Sequence, residues 1–204
     1  MNTYLFYSFC LLIGYLIGSI LFARLITKLV TGRNITELGN RNPGAYNVFR
    51  NVGKKWGILV GILDVGKALF PMLIAKYAFH LQDDIALGCL GIGALLGHGY
   101  SIFYHFEGGR AASTLMGMFL FFIPYEFLIS FLITSIIVLL FIKKDYGVWG
   151  PTLIIAFSAI SCLFFHHPVE VKIIIWIGAL ITLFFNRDAV QERTKKLSPA
   201  VKKK

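Results

Sequence analysis

The sequence has few charged side chains for its length. Only 15% of its 204 residues are Asp, Glu, Lys or Arg, whereas soluble domains carry about 25%. Hydrophobic residues make up 57% of the chain, and the mean hydropathy is +0.73. These values exclude an ordinary soluble globular protein, in which about half of the residues are apolar. We expect residues 1–204 to form a single membrane domain, because the length leaves no room for a separate soluble module.

Cysteine is also scarce. The three cysteines, Cys10, Cys89 and Cys162, each lie inside an apolar run, without a neighbour at metal-ligand or redox spacing. This excludes a disulfide framework, and we predict that they fill space in the core. The sequence offers no cluster of metal ligands, so we expect neither a metal ion nor a cofactor.

The beginning of the chain lacks the features of a cleaved signal peptide. It has no basic n-region and no small-residue cleavage site, and its apolar run is too long. We therefore expect the first apolar run to be retained as a membrane span.

Seven apolar segments are candidates for membrane-spanning helices, which need about 20 residues. The fourth is short, and Pro124 separates it from the fifth. It is a tilted helix, a half-span or part of one bent element. The predicted spans are 4–24, 55–79, 85–105, 111–123, 125–142, 148–166 and 169–186, followed by a basic tail over 187–204.

Lysine and arginine are distributed unevenly between the two predicted membrane faces. One face carries seven in the first connection, one in the third, two in the fifth and seven in the tail. The other face carries Lys76 and Lys172, and Lys67 lies within the second span. Basic residues concentrate on the cytoplasmic side, so the pattern predicts an outside N-terminus and a cytoplasmic C-terminus. It also explains the net charge of +10 without a nucleic-acid partner, for which no module is recognisable.

Glycine pairs at helical spacing mark several spans. Gly14 and Gly18 form one such pair, and Gly57 and Gly61 form another. The glycines at 88, 91 and 93 lie within a span without a preceding strand, so a dinucleotide fingerprint is not supported. Small residues at these spacings predict close helix packing.

Two cytoplasmic connections contain candidate anion-binding elements. Residues 37–50 are rich in Gly, Asn and Pro, which force tight turns, and Arg41 and Arg50 flank those turns. In the second connection, Gly108, Gly109 and Arg110 precede an apolar helix whose free N–H groups can bind phosphate. The alternative in both places is a plain turn or helix start that carries a topology charge.

Ionisable residues also occur at membrane depth. Asp64 and Lys67 are separated by three positions on the second span, and such residues are usually functional. They form either a functional pair or a structural ion pair. His98, at the end of the third span, is either a proton carrier or a packing residue.

These stretches resemble the acyl-phosphate-dependent glycerol-3-phosphate acyltransferase family (PlsY type). The resemblance covers nearly the whole chain and keeps the order of the motifs. Its segments are residues 39–50, the Asp64 and Lys67 pair, and residues 97–103, 106–114 and 186–193. The sequence departs from the family motifs at Asn40 (serine in the family), Tyr46 (threonine), Arg110 (lysine), Ala111 (glycine), Asn186 (histidine) and Ala189 (asparagine).

The resemblance implies a membrane enzyme of bacterial phospholipid synthesis, located in the inner membrane. It would move a fatty acyl group from acyl phosphate to glycerol 3-phosphate, among membrane lipids, giving lysophosphatidic acid. The catalytic residues that it implies are Asn40, Asn47, Arg50 and His98. The substrate-binding and phosphate-binding residues that it implies are Asn42, Gly44, Lys67, Gly108, Gly109, Arg110, Thr114 and Arg187.

Two alternatives remain at this point. A catalytically weak or inactive relative would bind a phosphorylated lipid or a partner through the retained loops. A small transporter is the other, but the sequence shows no inverted repeat and its polar cluster lies on one side only.

Overall fold

The computed structural model describes residues 2–142 and 146–197, which fold into helices joined by short connections. The predicted all-α architecture is confirmed for these residues. Lys143, Lys144 and Lys202–Lys204, which entered the topology count, lie outside them. The helices are α1 (Thr3–Gly18), α2 (Phe22–Thr31), α3 (Ala45–Asn51), α4 (Lys54–Leu73), α5 (Asp84–Gly99), α6 (Ala112–Phe122), α7 (Pro124–Ile137), α8 (Tyr146–Ser161) and α9 (Val169–Leu197).

Five helical segments are long and apolar enough to cross a membrane. Their outer faces leave large apolar side chains exposed, for example Leu5 at 61% and Leu139 at 64%, as expected where lipid replaces water. The chain is therefore a multi-pass membrane protein. The five segments are Thr3–Thr31, Lys54–Ala78, Asp84–Tyr104, Pro124–Phe141 and Val169–Glu192.

The first predicted span, 4–24, is interrupted in the structure. The helix stops at Gly18, and α2 begins only at Phe22. The Ser101 hydroxyl donates to the Ser19 carbonyl at 2.6 Å, and the Lys67 ammonium donates to the Ile20 carbonyl at 3.1 Å. Carbonyls freed by a helix end need such partners. Side chains from distant helices thus stabilise a break for which the local sequence carries no strong signal.

Helix α6, predicted as span 111–123, is short and enclosed by protein. Its 11 residues extend about 16 Å at 1.5 Å per residue, roughly half of the hydrocarbon thickness. Leu115, Met118 and Phe119 are fully buried, and α6 packs against α4, α5 and α9. Pro124 begins α7 as a separate helix, a position where proline's missing N–H costs nothing.

The other predicted spans match helices with shifted ends. Span 55–79 is α4, which continues as a π-helical turn through Ala78. Spans 85–105 and 125–142 correspond to α5 and to α7 with its π-helical end. The predicted span 148–166 corresponds to α8, which runs from Tyr146 to Ser161. The predicted span 169–186 corresponds to α9, which continues into the tail as far as Leu197. The start of the basic tail is thereby held on the same helix as the last span.

The glycine pairs lie where helix backbones approach each other. A Cβ added to Gly14 or Gly18 on α1 would overlap the α5 backbone at Leu90 or Ala94. Gly57 is packed against Phe49 of α3 in the same way, and Gly88 lies against Ile174 of α9. Close helix packing is thus observed at Gly14, Gly18, Gly57 and Gly88, whereas a Cβ added to Gly61 would make an ordinary contact, 3.6 Å from the Ala45 side chain. The result is a bundle in which α5 contacts α1, α4, α6 and α9.

Candidate active site

Asn47 organises the loop that precedes α3. Its side chain is buried, with 2% exposed. The Oδ1 atom accepts from the Asn40 backbone N–H at 3.3 Å and from the Asn51 amide at 2.8 Å. Its Nδ2 atom lies within hydrogen-bonding distance of the carbonyl oxygens of Ile35, Leu38 and Asn42, at 3.2, 3.0 and 3.0 Å. The structure therefore uses this amide inside the loop, and a catalytic role for Asn47 remains a prediction.

The loop itself makes a tight turn, which the glycine and asparagine content predicts. The Asn40 side-chain oxygen accepts from the Asn42 N–H at 3.1 Å, as in an Asx turn. Gly39 and Arg41 both have positive φ, of 52° and 60°, which is uncommon for a residue such as arginine. From Ala45 onward the chain is helical, so Arg50 stands on α3 rather than in a loop.

Asp64 and Lys67 form a buried ion pair. Their side chains are 1% and 2% exposed, and Lys67 Nζ lies 3.2 Å from Asp64 Oδ1. The same ammonium donates to the Ile20 carbonyl. The sequence allowed two interpretations, a functional pair and a structural ion pair. In the structure, Asp64 and Lys67 form an ion pair with each other. The Lys67 ammonium is engaged by the α1–α2 break, and its role in phosphate binding remains a prediction.

His98 lies at the end of α5, next to this pair. Its Nδ1 atom is 3.3 Å from the Thr114 hydroxyl and 3.8 Å from Asp64 Oδ1. The side chain is buried, and the backbone carbonyl of His98 accepts from the Gly109 N–H at 2.9 Å. His98 is thus packed inside the protein and also faces a carboxylate. This arrangement is compatible with both interpretations of the sequence, a packing residue and a proton carrier.

Gly108 and Gly109 bring the start of α6 against the end of α5. A Cβ on Gly108 would overlap the carbonyls of His98 and Gly99, and a Cβ on Gly109 would overlap the His98 ring. The Gly109 N–H already donates to a carbonyl within the protein. The main role of the two glycines in the structure is therefore to let the two chain segments approach closely. The close approach places Arg110 and the first residues of α6 at the edge of a cavity.

That cavity, called here the inner cavity, has a volume of about 70 Å³. It combines a carboxylate, an imidazole and a guanidinium group with the start of α6, where free N–H groups point outward. An anion can bind there, since the helix N-terminus and Arg110 both favour negative charge. Its polar lining residues include Asn42, Asp64, His98, Arg110, Ser113 and Asn186.

Two further cavities adjoin the inner one. The tail cavity, of about 380 Å³, is lined by Asn40, Arg41, Arg110 and Glu192 among others. The outer cavity, of about 230 Å³, is lined by Asn40, Tyr46, Asn47 and Arg50 among others. Arg110 lines the inner and tail cavities, Tyr46 and Gly147 line the inner and outer cavities, and Asn40 and Val148 line the tail and outer cavities. Through these shared residues the three form one polar cleft.

The cleft gathers most of the residues that the motifs singled out. Asn40, Asn42, Gly44, Asn47, Arg50, His98 and Arg110 line it. Thr114 stands behind His98. Arg187 is not among the lining residues of these three cavities; its guanidinium stacks on the Phe184 ring at 3.8 Å and bonds Asp188.

Other lining residues were absent from the predicted site. Two of them were recognisable in the sequence: Asp64 is an acidic residue at membrane depth, and Asn186 is a substituted position of a family motif. The Asn186 amide donates to Thr152 at 2.7 Å, which ties α9 to α8. Gly147 and Pro151 of α8 lie outside every motif, and tertiary packing alone brings them to the cleft.

We expect the buried pair to matter for stability. Replacing Lys67 by methionine leaves the Asp64 carboxylate buried without its cation, which costs about 3–5 kcal/mol in buried pairs. The combined Asp64→Asn and Lys67→Met variant removes both charges and should regain more than half of the loss. Reversible unfolding in mixed detergent micelles measures both. A double variant no more stable than Lys67→Met alone would contradict this account.

Comparison with known proteins agrees with the geometry. The family model for glycerol-3-phosphate acyltransferase matches residues 8–195. Glycerol-3-phosphate acyltransferase 1 of Lactobacillus johnsonii is 35% identical over 187 residues, covering 91% of this chain and 88% of the relative. The glycerol-3-phosphate acyltransferase of Aquifex aeolicus is 39% identical over 175 residues, covering 85% and 88%.

Solved structures show the same fold. The crystal structure of PlsY, an integral membrane glycerol 3-phosphate acyltransferase, in its glycerol 3-phosphate form superposes with a TM-score of 0.83 and 30% identity, covering 93% of this chain and 92% of the other. Its lysophosphatidic acid form gives 0.80 and 29%, with the same coverage. Sequence, fold and the polar cleft lead to one conclusion: the chain belongs to the glycerol-3-phosphate acyltransferase family.

Proposed function

We propose that this membrane acyltransferase moves a fatty acyl group from acyl phosphate to the 1-hydroxyl of glycerol 3-phosphate. The products are lysophosphatidic acid, for phospholipid synthesis, and phosphate. The observation that carries the proposal is a polar cleft lined by Arg50 and Arg110 that meets an apolar groove at Pro151. A phosphorylated, water-soluble acceptor and a lipid-like donor meet where these two surfaces join.

The apolar groove lies between α7 and α8. It has a volume of about 310 Å³ and is lined by Thr134, Ser135, Val138, Leu139, Gly150, Pro151 and Ile154. Pro151 also lines the inner cavity, so the groove and the cleft meet there. An acyl tail in the groove would keep its apolar surface away from water, while its activated carboxyl end reaches the cleft.

The cleft supplies partners for the phosphate groups. Arg110 lines both the inner and the tail cavity, and Arg50 lines the outer one. Guanidinium groups bind phosphate in a bidentate manner, and the start of α6 adds N–H groups beside Arg110. Two cationic positions fit a reaction in which both substrates carry phosphate.

The chemistry requires little beyond positioning. The acceptor hydroxyl oxygen attacks the acyl carbonyl carbon, the carbon–oxygen bond to phosphate breaks, and the hydroxyl proton leaves with the phosphate as hydrogen phosphate. His98, beside Asp64 in the inner cavity, is placed to carry that proton. Because acyl phosphate is already activated, orientation and charge stabilisation supply most of the acceleration.

The proposed setting is the inner membrane of a bacterium, with seven spans and an outside N-terminus. Five long segments and the two shorter apolar helices α6 and α8 are compatible with seven, and the one-sided Lys and Arg distribution supports the orientation. Single cysteines placed in the 80–83 turn and in the α2–α3 connection would test it. Labelling of both from the same side of intact cells would contradict the orientation.

The proposed activity is tested with purified full-length protein in lipid vesicles. Supplied with palmitoyl phosphate and glycerol 3-phosphate, it should release phosphate and form lysophosphatidic acid only when both are present. Arg50→Ala should lower the rate without loss of folded protein. No transfer, together with retained binding of inorganic phosphate, would instead favour a non-catalytic relative that binds phosphorylated ligands.

Narrowing the apolar groove should change the preferred donor. Gly150 lines the groove and a Cβ added to it meets nothing within 4 Å, so Gly150→Trp places an indole ring at the groove from a position where the first side-chain carbon causes no clash. We expect at least about a tenfold shift of kcat/KM toward shorter acyl phosphates, since each methylene is worth about 10-fold or more in an apolar pocket. Rates with acyl chains of graded length measure the shift.

The matched control is Ile62→Trp, on a lipid-exposed face of α4. It adds the same ring in the membrane but away from the α7–α8 groove, and should leave the chain-length profile unchanged. Equal profiles for Gly150→Trp and the wild type would place the acyl tail elsewhere.

A further inference from the structure

Tyr46 lies on the first turn of α3, at a position where the family motif has threonine. Its ring packs against the backbone of Gly147 on α8. A Cβ added to Gly147 would overlap three ring atoms, Cγ, Cδ1 and Cε1. Side chain and glycine therefore fit each other as a complementary pair, and the ring has no room to move toward α8.

The same pair separates two parts of the cleft. Tyr46 and Gly147 both line the inner cavity, which contains Asp64 and His98. They also both line the outer cavity, which contains Arg50. The Tyr46 ring thus lies between the inner cavity, with the buried Asp64 and His98, and the outer cavity, with the exposed Arg50.

We infer that Tyr46 is a specificity-determining residue that limits the size of the phosphorylated alcohol accepted. This inference rests on the proposed acyl transfer. The acceptor must fit beside the ring with its hydroxyl at the acyl carbonyl and its phosphate at a cationic group. A tyrosine ring has few rotatable bonds, and here Gly147 blocks its retreat. We predict that a three-carbon acceptor can be placed beside the ring, whereas a longer polyol phosphate meets it.

The contact predicts a non-additive effect between the two positions. Gly147→Ala pushes the ring into the cleft and should lower kcat/KM for glycerol 3-phosphate about tenfold. In a Tyr46→Thr background the added methyl group has no ring to displace. Gly147→Ala should then lower kcat/KM for glycerol 3-phosphate by less than about twofold. Residues in contact show such coupling, whereas independent sites are additive.

Substrate selection gives the main test. Full-length protein in lipid vesicles would be supplied with palmitoyl phosphate and either glycerol 3-phosphate or ribitol 5-phosphate. Tyr46→Thr should shift the ratio of the two kcat/KM values at least tenfold toward ribitol 5-phosphate, mainly through KM of the longer acceptor. Tyr46→Phe keeps the ring and should retain the wild-type ratio.

Several outcomes would overturn the inference. These are an unchanged ratio in Tyr46→Thr, a ratio shifted equally in Tyr46→Phe, or the same cost of Gly147→Ala in both backgrounds. If Tyr46→Thr does not fold, Tyr46→Val provides the same loss of the ring. Absence of transfer to glycerol 3-phosphate by the wild type would contradict the proposed function itself, so the two failures are distinguishable.

Discussion

Replacing Arg110 by alanine is expected to lower kcat/KM for acyl transfer by at least about 100-fold. Arg110 lines both the inner and the tail cavity and lies two residues before the start of α6, whose first N–H groups are free to bind an anion. Negative charge develops on the departing phosphate, and removing one preorganised donor at such a position costs about 10²–10³ in rate. Phosphate release and lysophosphatidic acid formation measure the loss.

Two controls separate local binding from general surface charge. Arg110→Lys restores the residue type of the family motif and should retain activity within about tenfold, because the charge survives while the bidentate geometry is lost. Arg33→Ala removes an exposed charge from the first connection and should leave kcat/KM unchanged. If Arg33→Ala and Arg110→Ala lowered the rate equally, attraction of anions to the basic face would explain the effect instead.

Replacing Gly93 by alanine is expected to destabilise the fold by about 2–3 kcal/mol, the upper range for overpacking a tight interface. A Cβ at Gly93 would overlap backbone atoms of α1, at Leu11 and Tyr15. Backbone atoms cannot turn aside as a flexible side chain can, so α1 and α5 would have to separate. The chain break after Gly18, which depends on Ser101 of the α5 end, would loosen with them.

The matched control for this prediction is Gly150→Ala on α8. It makes the same change within a helix, but open space surrounds the added methyl. Alanine is also the better helix former by about 1 kcal/mol, so Gly150→Ala should be neutral or stabilising. Unfolding midpoints in detergent compare the two. Equal destabilisation by both changes would show that glycine is needed for a reason other than helix approach.

The site was predictable from sequence to the extent that it is built from local motifs. Gly, Asn and Pro near Arg41 indicate tight turns, and Gly-Gly-Arg before an apolar run indicates a helix start beside a cation. Both features lie at the cleft. Lys67 shows what local motifs leave open, because its motif position predicts a phosphate ligand and does not indicate the contact of its ammonium with the Ile20 carbonyl. Phosphate binding by Lys67 stays a prediction.

The sequence by itself determined the class of protein, the positions of most helices and the family. The class of protein follows from hydropathy, which depends on composition alone. The helix positions follow from apolar runs and turn residues, which are patterns among neighbouring positions in the chain. Tertiary structure alone decided the break between α1 and α2, the contact of Lys67 with the Ile20 carbonyl, and the contribution of Gly147 and Pro151 to the cleft. Each depends on contacts between residues far apart in the chain, whose distances are set by how the helices pack and not by any local pattern. The sequence singled out Arg50 and Arg110, and the fold places both at the cleft, whereas the sidedness of the basic residues stays a prediction.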